Sequence, residues 1–155
     1  MRPILVGERT NVIGSRRFKE LVQEGKYEEA AEIARAQVKG GAQVLDICLA
    51  DPDRNEFSDM EQVIQQVAKK VKVPLMIDST DEKVIEKALT YCQGKSIINS
   101  INLEDGEERF KKVVPLIHRY GAAVIVGTID ERGMAVKAEE KLAIAKRSYD
   151  LLVNK

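Results

Sequence analysis

Val73-Pro74-Leu75-Met76-Ile77 runs straight into Asp78-Ser79-Thr80-Asp81, and the reading of this stretch decides the fold. The apolar run is too short for a helix and carries β-branched residues, which suits a strand buried inside a parallel sheet. An apolar strand has no need of a carboxylate at its last turn. Asp78 therefore either serves a site or caps the helix that begins near Glu82. The layout recurs along the chain. Ile4-Leu5-Val6-Gly7 ends in Glu8-Arg9-Thr10-Asn11, and Gln43 to Ile47 contains Asp46. Ser96-Ile97-Ile98 ends in Asn99-Ser100, and Ala122 to Val126 leads to Gly127-Thr128-Ile129-Asp130.

A helical pattern follows each of these five strands. Ser15 suits an N-cap for a short helix over 16–23 that Gly25 ends. Over 27–39, Ala30, Ile33, Ala34, Gln37 and Val38 recur at helical spacing, and Gly40-Gly41 closes the segment. Further helices are expected over about 58–71, 82–91, 107–120 and 138–152, with Pro115 kinking or splitting the fourth of these five longer segments. The loop over 128–136 reads as polar, with Gly133 in it.

A βαβ series of this kind makes an α/β fold with a parallel sheet. Two architectures fit: a doubly wound sheet of flavodoxin type and part of a TIM (β/α)8 barrel. The barrel is preferred because polar groups end all five strands, and a barrel gathers every strand end into one mouth. No G-x-G-x-x-G or G-x-x-x-x-G-K-[ST] phosphate loop is present. A full barrel takes about 250 residues, so residues 1–155 are expected to be the N-terminal part of one barrel domain, about five of its eight units, cut from a longer protein. The open strand edges of such a piece make self-association an expectation.

Composition narrows the function. The 155 residues are 44% hydrophobic and 32% charged, as in an ordinary globular domain. Lys+Arg and Asp+Glu both number 25, so there is no basic excess to argue for nucleic acid. No apolar run approaches the roughly 18 residues of a membrane span, and no signal peptide is evident. The two cysteines, Cys48 and Cys92, fit no metal spacing and read as reduced thiols of a cytoplasmic protein.

The mouth would gather Glu8, Arg9, Asn11, Asp46, Asp78, Asn99 and Asp130. This set is rich in acceptors and poor in nucleophiles. His118, the only histidine, falls near the end of a helix, and Ser79 and Ser100 have no histidine beside them to form a triad. Cys48 reads as a small, partly buried residue. A metal site would draw on Asp46, Asp51, Asp53, Glu56 and Asp78, but their spacing is not that of a Ca²⁺ loop, and a solvated acidic loop is the favoured reading; no metal is expected. Glu8, Asp78 and Asn99 suit a flat heterocycle with adjacent N–H donors, since a carboxylate accepts two parallel hydrogen bonds. The plainer alternative has Asp78 capping the helix over 82–91 and Asn99 capping the turn after its strand.

Gly7-Glu8-Arg9-Thr10-Asn11, Gly41-Ala42-Gln43-Val44-Leu45-Asp46-Ile47, Met76-Ile77-Asp78-Ser79 and Asn99-Ser100-Ile101 together resemble the pterin-binding barrel of cobalamin-dependent methionine synthase. They are also similar to methyltetrahydrofolate–corrinoid methyltransferases and, more distantly, to dihydropteroate synthase. The resemblance runs in order along essentially the whole chain. It implies a (β/α)8 barrel that binds 5-methyltetrahydrofolate as methyl donor and passes the N5-methyl group to cob(I)alamin, as in methionine biosynthesis from homocysteine. It implies pterin contacts at Glu8, Asp78 and Asn99, with Asn11 and Asp46 shaping the mouth, and cobalamin carried on a separate domain or protein. Cys48 stands where many members of the family have Asn. Further folate contacts in the family come from strands six to eight, so the 155-residue piece itself is expected to be a weak binder or inactive. Two other readings stand beside this one: a dihydropteroate synthase-like enzyme, and a non-catalytic associating module.

Overall fold

The computed structural model describes residues 2–153. Five strands alternate with helices in an α/β arrangement of parallel β/α units, that of part of a (β/α)8 barrel. The chain divides into two compact units at Ile97/Ile98.

The first unit begins with β1 (Val6–Asn11), followed by α1 (Arg16–Gln23) and α2 (Tyr27–Lys39). It continues through β2 (Val44–Cys48), α3 (Glu56–Lys70), β3 (Leu75–Asp78) and α4 (Glu82–Leu89). β1 and β3 both pair in parallel with β2. The first strand therefore lies at the side of the three and the second in the middle. A flavodoxin-type sheet instead places its first strand between the second and third, so strand order decides for the barrel. All five residues of β2 are buried, as a middle strand covered on both faces requires. Leu45, Ile47 and Ile77 of the strands and Met60, Val63, Ile64 and Val67 of α3 are all buried in the core of this unit. Ala30, Ala31 and Ala34 form the buried side of α2.

Local chemistry sets most boundaries where the sequence puts them. The Ser15 hydroxyl accepts from the Phe18 N–H at 3.3 Å and starts α1. Asn55 Oδ1 accepts from Ser58 N–H at 3.0 Å and starts α3 two residues earlier than the apolar periodicity predicts. β1 differs more. It was expected over 4–7, but the strand runs over Val6–Asn11, and Ile4 and Leu5 are 66% and 58% exposed. The stretch that reads as a polar loop, Glu8 to Asn11, is itself strand, because its backbone pairs with Ile47 and Cys48.

The second unit begins in β4 (Ile97–Ile101) and continues with α5 (Glu108–Tyr120), β5 (Ala123–Val126) and α6 (Ala138–Val153). β4 and β5 are neighbours. Ile98, Ile101, Leu103, Phe110, Val113 and Leu116 are buried here. Two expectations are corrected. α5 is not split at Pro115: it continues to Tyr120, with the proline on its exposed side, where water can serve a carbonyl that lost its helical donor. The stretch 128–136, expected as a polar loop, holds an antiparallel hairpin, β6 (Ile129–Asp130) and β7 (Gly133–Met134). Gly121 ends α5 at φ 62°, a left-handed position that a side chain would strain.

One buried ion pair ties α2 to α3. The Asp59 carboxylate takes two hydrogen bonds from Arg54, at 2.6 and 2.8 Å, and a third from the Tyr27 hydroxyl at 3.0 Å. Its side chain is only 4% exposed, so removing it strands a guanidinium and a phenol together. Asp59→Ala is expected to cost about 3 kcal/mol and Tyr27→Phe about 1 kcal/mol in denaturant unfolding at neutral pH.

Candidate functional site

In a parallel sheet covered on both faces, polar side chains collect at strand ends, where the backbone leaves the apolar layer. β2 and β3 end together, with Cys48 and Asp78 directly paired in the register. The Cys48 thiol donates a hydrogen bond toward the Asp78 carboxylate, which steadies the charged form. Burial acts the other way and is the larger effect; together with the nearby Glu8 charge it raises the Asp78 pKa above the ordinary carboxylate value. Burial likewise pushes the Cys48 thiol up to about 12, assisted by the negative charges of Asp78, Asp46 and Glu56. Cys48 is thus a neutral donor at physiological pH and not a thiolate nucleophile.

Glu8 reaches the same place from β1. A side chain at Gly14 would meet Glu8 Oε1 at 3.2 Å and Asn11 Cγ at 3.7 Å, so both side chains lie against this glycine. Asn11 Oδ1 accepts from the Ile13 and Gly14 N–H groups at 2.7 and 2.9 Å. Its carbonyl is therefore committed to the turn after β1, a role that shapes the site. Asp46 is 3% exposed and lies in the middle of β2. Its backbone oxygen accepts from the Thr10 hydroxyl. Glu8, Asn11, Asp46 and Asp78 all belong to the first unit.

Asp78 does not cap α4. α4 is capped by Asp81, whose carboxylate accepts from Lys83 N–H at 2.7 Å, and Ser79 Oγ accepts from Asp81 N–H at 3.1 Å. Asp78 is left to face Cys48. Asn99 lies inside β4, in the second unit, and the turn that follows is held by Asn102, whose side chain accepts from Glu104 N–H at 2.9 Å. Asp130 sits in the hairpin and is committed to Arg132, whose Nη2 donates at 2.7 Å. His118 is exposed near the end of α5.

The acidic loop after β2 is not simply solvated, as its sequence suggests. Asp51 is buried and holds Lys19 at 3.1 Å, the Asp53 N–H at 3.2 Å and Gln23 at 3.4 Å. Its carboxylate is a structural anchor between that loop and α1, which leaves it no free face for a cation. Among the described residues no group of three or more His, Cys, Asp or Glu is arranged to hold a metal ion.

Sequence reasoning missed the thiol's part in this site. Cys48 reads as a space-filling residue, and only the β2–β3 register makes it a donor to Asp78. Glu56, which the sequence offers only as a candidate metal ligand, instead acts by its charge on Cys48 from the start of α3.

A family model described as pterin binding enzyme matches residues 7–154. That span runs from the second residue of β1 through α6 and takes in every site residue named above.

The raised thiol pKa has a direct consequence. Native protein at pH 8 is expected to leave Cys48 unalkylated by iodoacetamide over hours, while protein unfolded in guanidinium labels fully, as read by peptide mass spectrometry. Rapid native labelling of Cys48 would mean that the thiol is neither buried nor held neutral.

Proposed function

The chain belongs to the pterin-binding enzyme family, and on that footing we propose that it forms the 5-methyltetrahydrofolate-binding portion of a methyltransferase whose acceptor is a corrinoid. The observation that carries this reading is the pairing of Cys48 and Asp78 at the ends of β2 and β3, with the Glu8 charge acting on Asp78. One edge of a pterin presents a ring N–H beside an exocyclic amine. Asp78 is suited to take both as parallel hydrogen bonds, with the Cys48 S–H as a neighbouring donor that favours its charged form. Glu8 supplies a second acceptor, and Asn11 holds the turn against which Glu8 lies. Asp46 completes the proposed contact set of the first unit; Asn99 is proposed as a further contact on the resemblance of Asn99-Ser100-Ile101 alone.

The same chemistry favours methyl transfer to an outside acceptor. The thiol of this site is held neutral and cannot take the methyl group. A corrinoid on another domain or protein supplies that nucleophile. The residues of this chain are then left to bind, orient and exclude water, which is where much of a barrier to group transfer is lowered. The Glu8-Arg9-Thr10-Asn11 sequence supports the methyltransferase type over dihydropteroate synthase.

Calorimetric titration with 5-methyltetrahydrofolate tests the reading. Asp78→Asn replaces an acceptor-only group by one that also donates, and is expected to weaken binding about 10- to 100-fold. Tighter binding of a pterin pyrophosphate than of 5-methyltetrahydrofolate would overturn the reading in favour of a dihydropteroate synthase-like enzyme. Stability should move oppositely. Because the Asp78 pKa is raised in the folded protein, the native state holds this proton more tightly than the unfolded chain does. Its contribution to stability therefore falls as pH rises from about 3.9 through the raised value. Asp78→Asn should accordingly raise the melting temperature of the ligand-free protein at pH 7 while it weakens binding. A variant that loses both would identify Asp78 as a structural residue.

A further inference from the structure

β1 carries one residue more than its partner can match. Gly7 pairs with Leu45 and Thr10 with Ile47, so Glu8 and Arg9 together stand opposite Asp46. Side chains alternate along a strand, and an inserted residue reverses the alternation beyond it. Gly7 and Thr10 accordingly face the same side, toward α2. A side chain on Gly7 would meet Gln37 Oε1 at 2.8 Å, and Thr10 Oγ1 lies 3.5 Å from Gln37 Nε2. Glu8 and Asn11 share the other side, both against Gly14. Counted back from Thr10 without the extra residue, Glu8 would face α2 and not the site.

Gln37 of α2 holds this bulge in place. Its Oε1 accepts from Arg9 N–H at 2.7 Å, the backbone donor that a bulge removes from the ladder. Its Nε2 reaches Thr10, whose hydroxyl in turn donates to the Asp46 carbonyl opposite the bulge. Gly7 leaves the room that the amide occupies, since Leu45 Cδ2 would also come within 2.9 Å of any Cβ there. A glutamine on the sheet-facing stripe of a helix, among Ala30, Ile33 and Ala34, thus has a definite task.

We propose that Gln37 is a positioning residue for ligand recognition: it locks the bulge that turns the Glu8 carboxylate to the side of Asn11 and toward Asp78. The inference rests on the pterin reading above, in which Glu8 contacts the ligand. Gln37 itself touches no ligand and acts through Glu8.

A double-mutant cycle in the full chain tests it, using 5-methyltetrahydrofolate as probe and amide exchange of Arg9 by NMR as a ligand-free readout. Gln37→Leu is expected to weaken binding about tenfold and to speed Arg9 exchange, with Glu8→Gln weakening binding by a similar factor. The double variant should bind no worse than Glu8→Gln alone, because the loss at Gln37 is the loss of Glu8 placement. Gln37→Glu, which keeps an acceptor for Arg9 N–H, should retain most of the affinity. If Gln37→Leu does not fold, Gly7→Ala, which displaces the amide from the other side, takes its place in the cycle. Additive losses in the double variant, or unchanged Arg9 exchange, would overturn the inference and leave the pterin reading standing. Wild-type protein that protects Arg9 yet shows no saturable binding even at millimolar 5-methyltetrahydrofolate, where a weak binder would still saturate, would overturn the pterin reading, and the proposed role of Gln37 with it.

Discussion

A carboxylate resists burial in an apolar layer, and a parallel strand covered on both faces has nowhere else to put one but its end. Asp78 sits at that limit. It follows three buried apolar residues of β3, it faces a buried thiol, and another carboxylate bears on it from β1. Each of these conditions raises the free energy of its charged form, except the hydrogen bond from Cys48. The remainder of the first unit keeps Asp78 there. β2 fixes the register, Asp81 takes the capping duty that would otherwise engage the carboxylate, and Gly14 leaves room for Glu8.

Two buried acids elsewhere in the first unit show by contrast why this arrangement stands out. Asp59 has Arg54 and Tyr27, and Asp51 has Lys19. Both are compensated by cations or donors of the chain, and both tie one element to another. Asp78 instead faces a neutral thiol, whose donor strength is modest. A site whose acceptors are only partly satisfied by the protein costs stability in the free state. It also discriminates sharply among ligands, because a ligand that lacks the matching donors leaves the same groups unpaired. The pKa directions of Asp78 and Cys48 are the electrostatic trace of that arrangement.

Much of the fold was legible in residue order. Helix starts at Ser15 and Glu82, the full span of α2, and the end of α5 at Gly121 follow from side-chain caps and glycine, which act within a few residues. Where the outcome depended on contacts distant in sequence, the reading was less complete. β1 runs to Asn11 because Ile47 and Cys48 pair with it, and nothing within residues 4–15 announces that partner. α5 continues through Pro115 because the proline lies on its exposed side. The loop after β2 looked solvated because Lys19, which neutralises Asp51, belongs to a helix more than two dozen residues earlier.

The sequence by itself determined the kind of molecule: alternating apolar runs and amphipathic segments allow little but parallel β/α units, and the polar residues that end those runs marked Glu8, Asn11, Asp46, Asp78 and Asn99 as candidates. Tertiary structure decided what those residues face. Placing β2 between β1 and β3 selected the barrel arrangement over the flavodoxin-type sheet. Pairing Cys48 with Asp78 turned a space-filling thiol into a donor, and the extra residue of β1, held from α2 by Gln37, set the side on which Glu8 emerges. Periodicity shows that a strand has two faces. Which face meets the site depends on register, and register is fixed by hydrogen bonds between segments far apart along the chain.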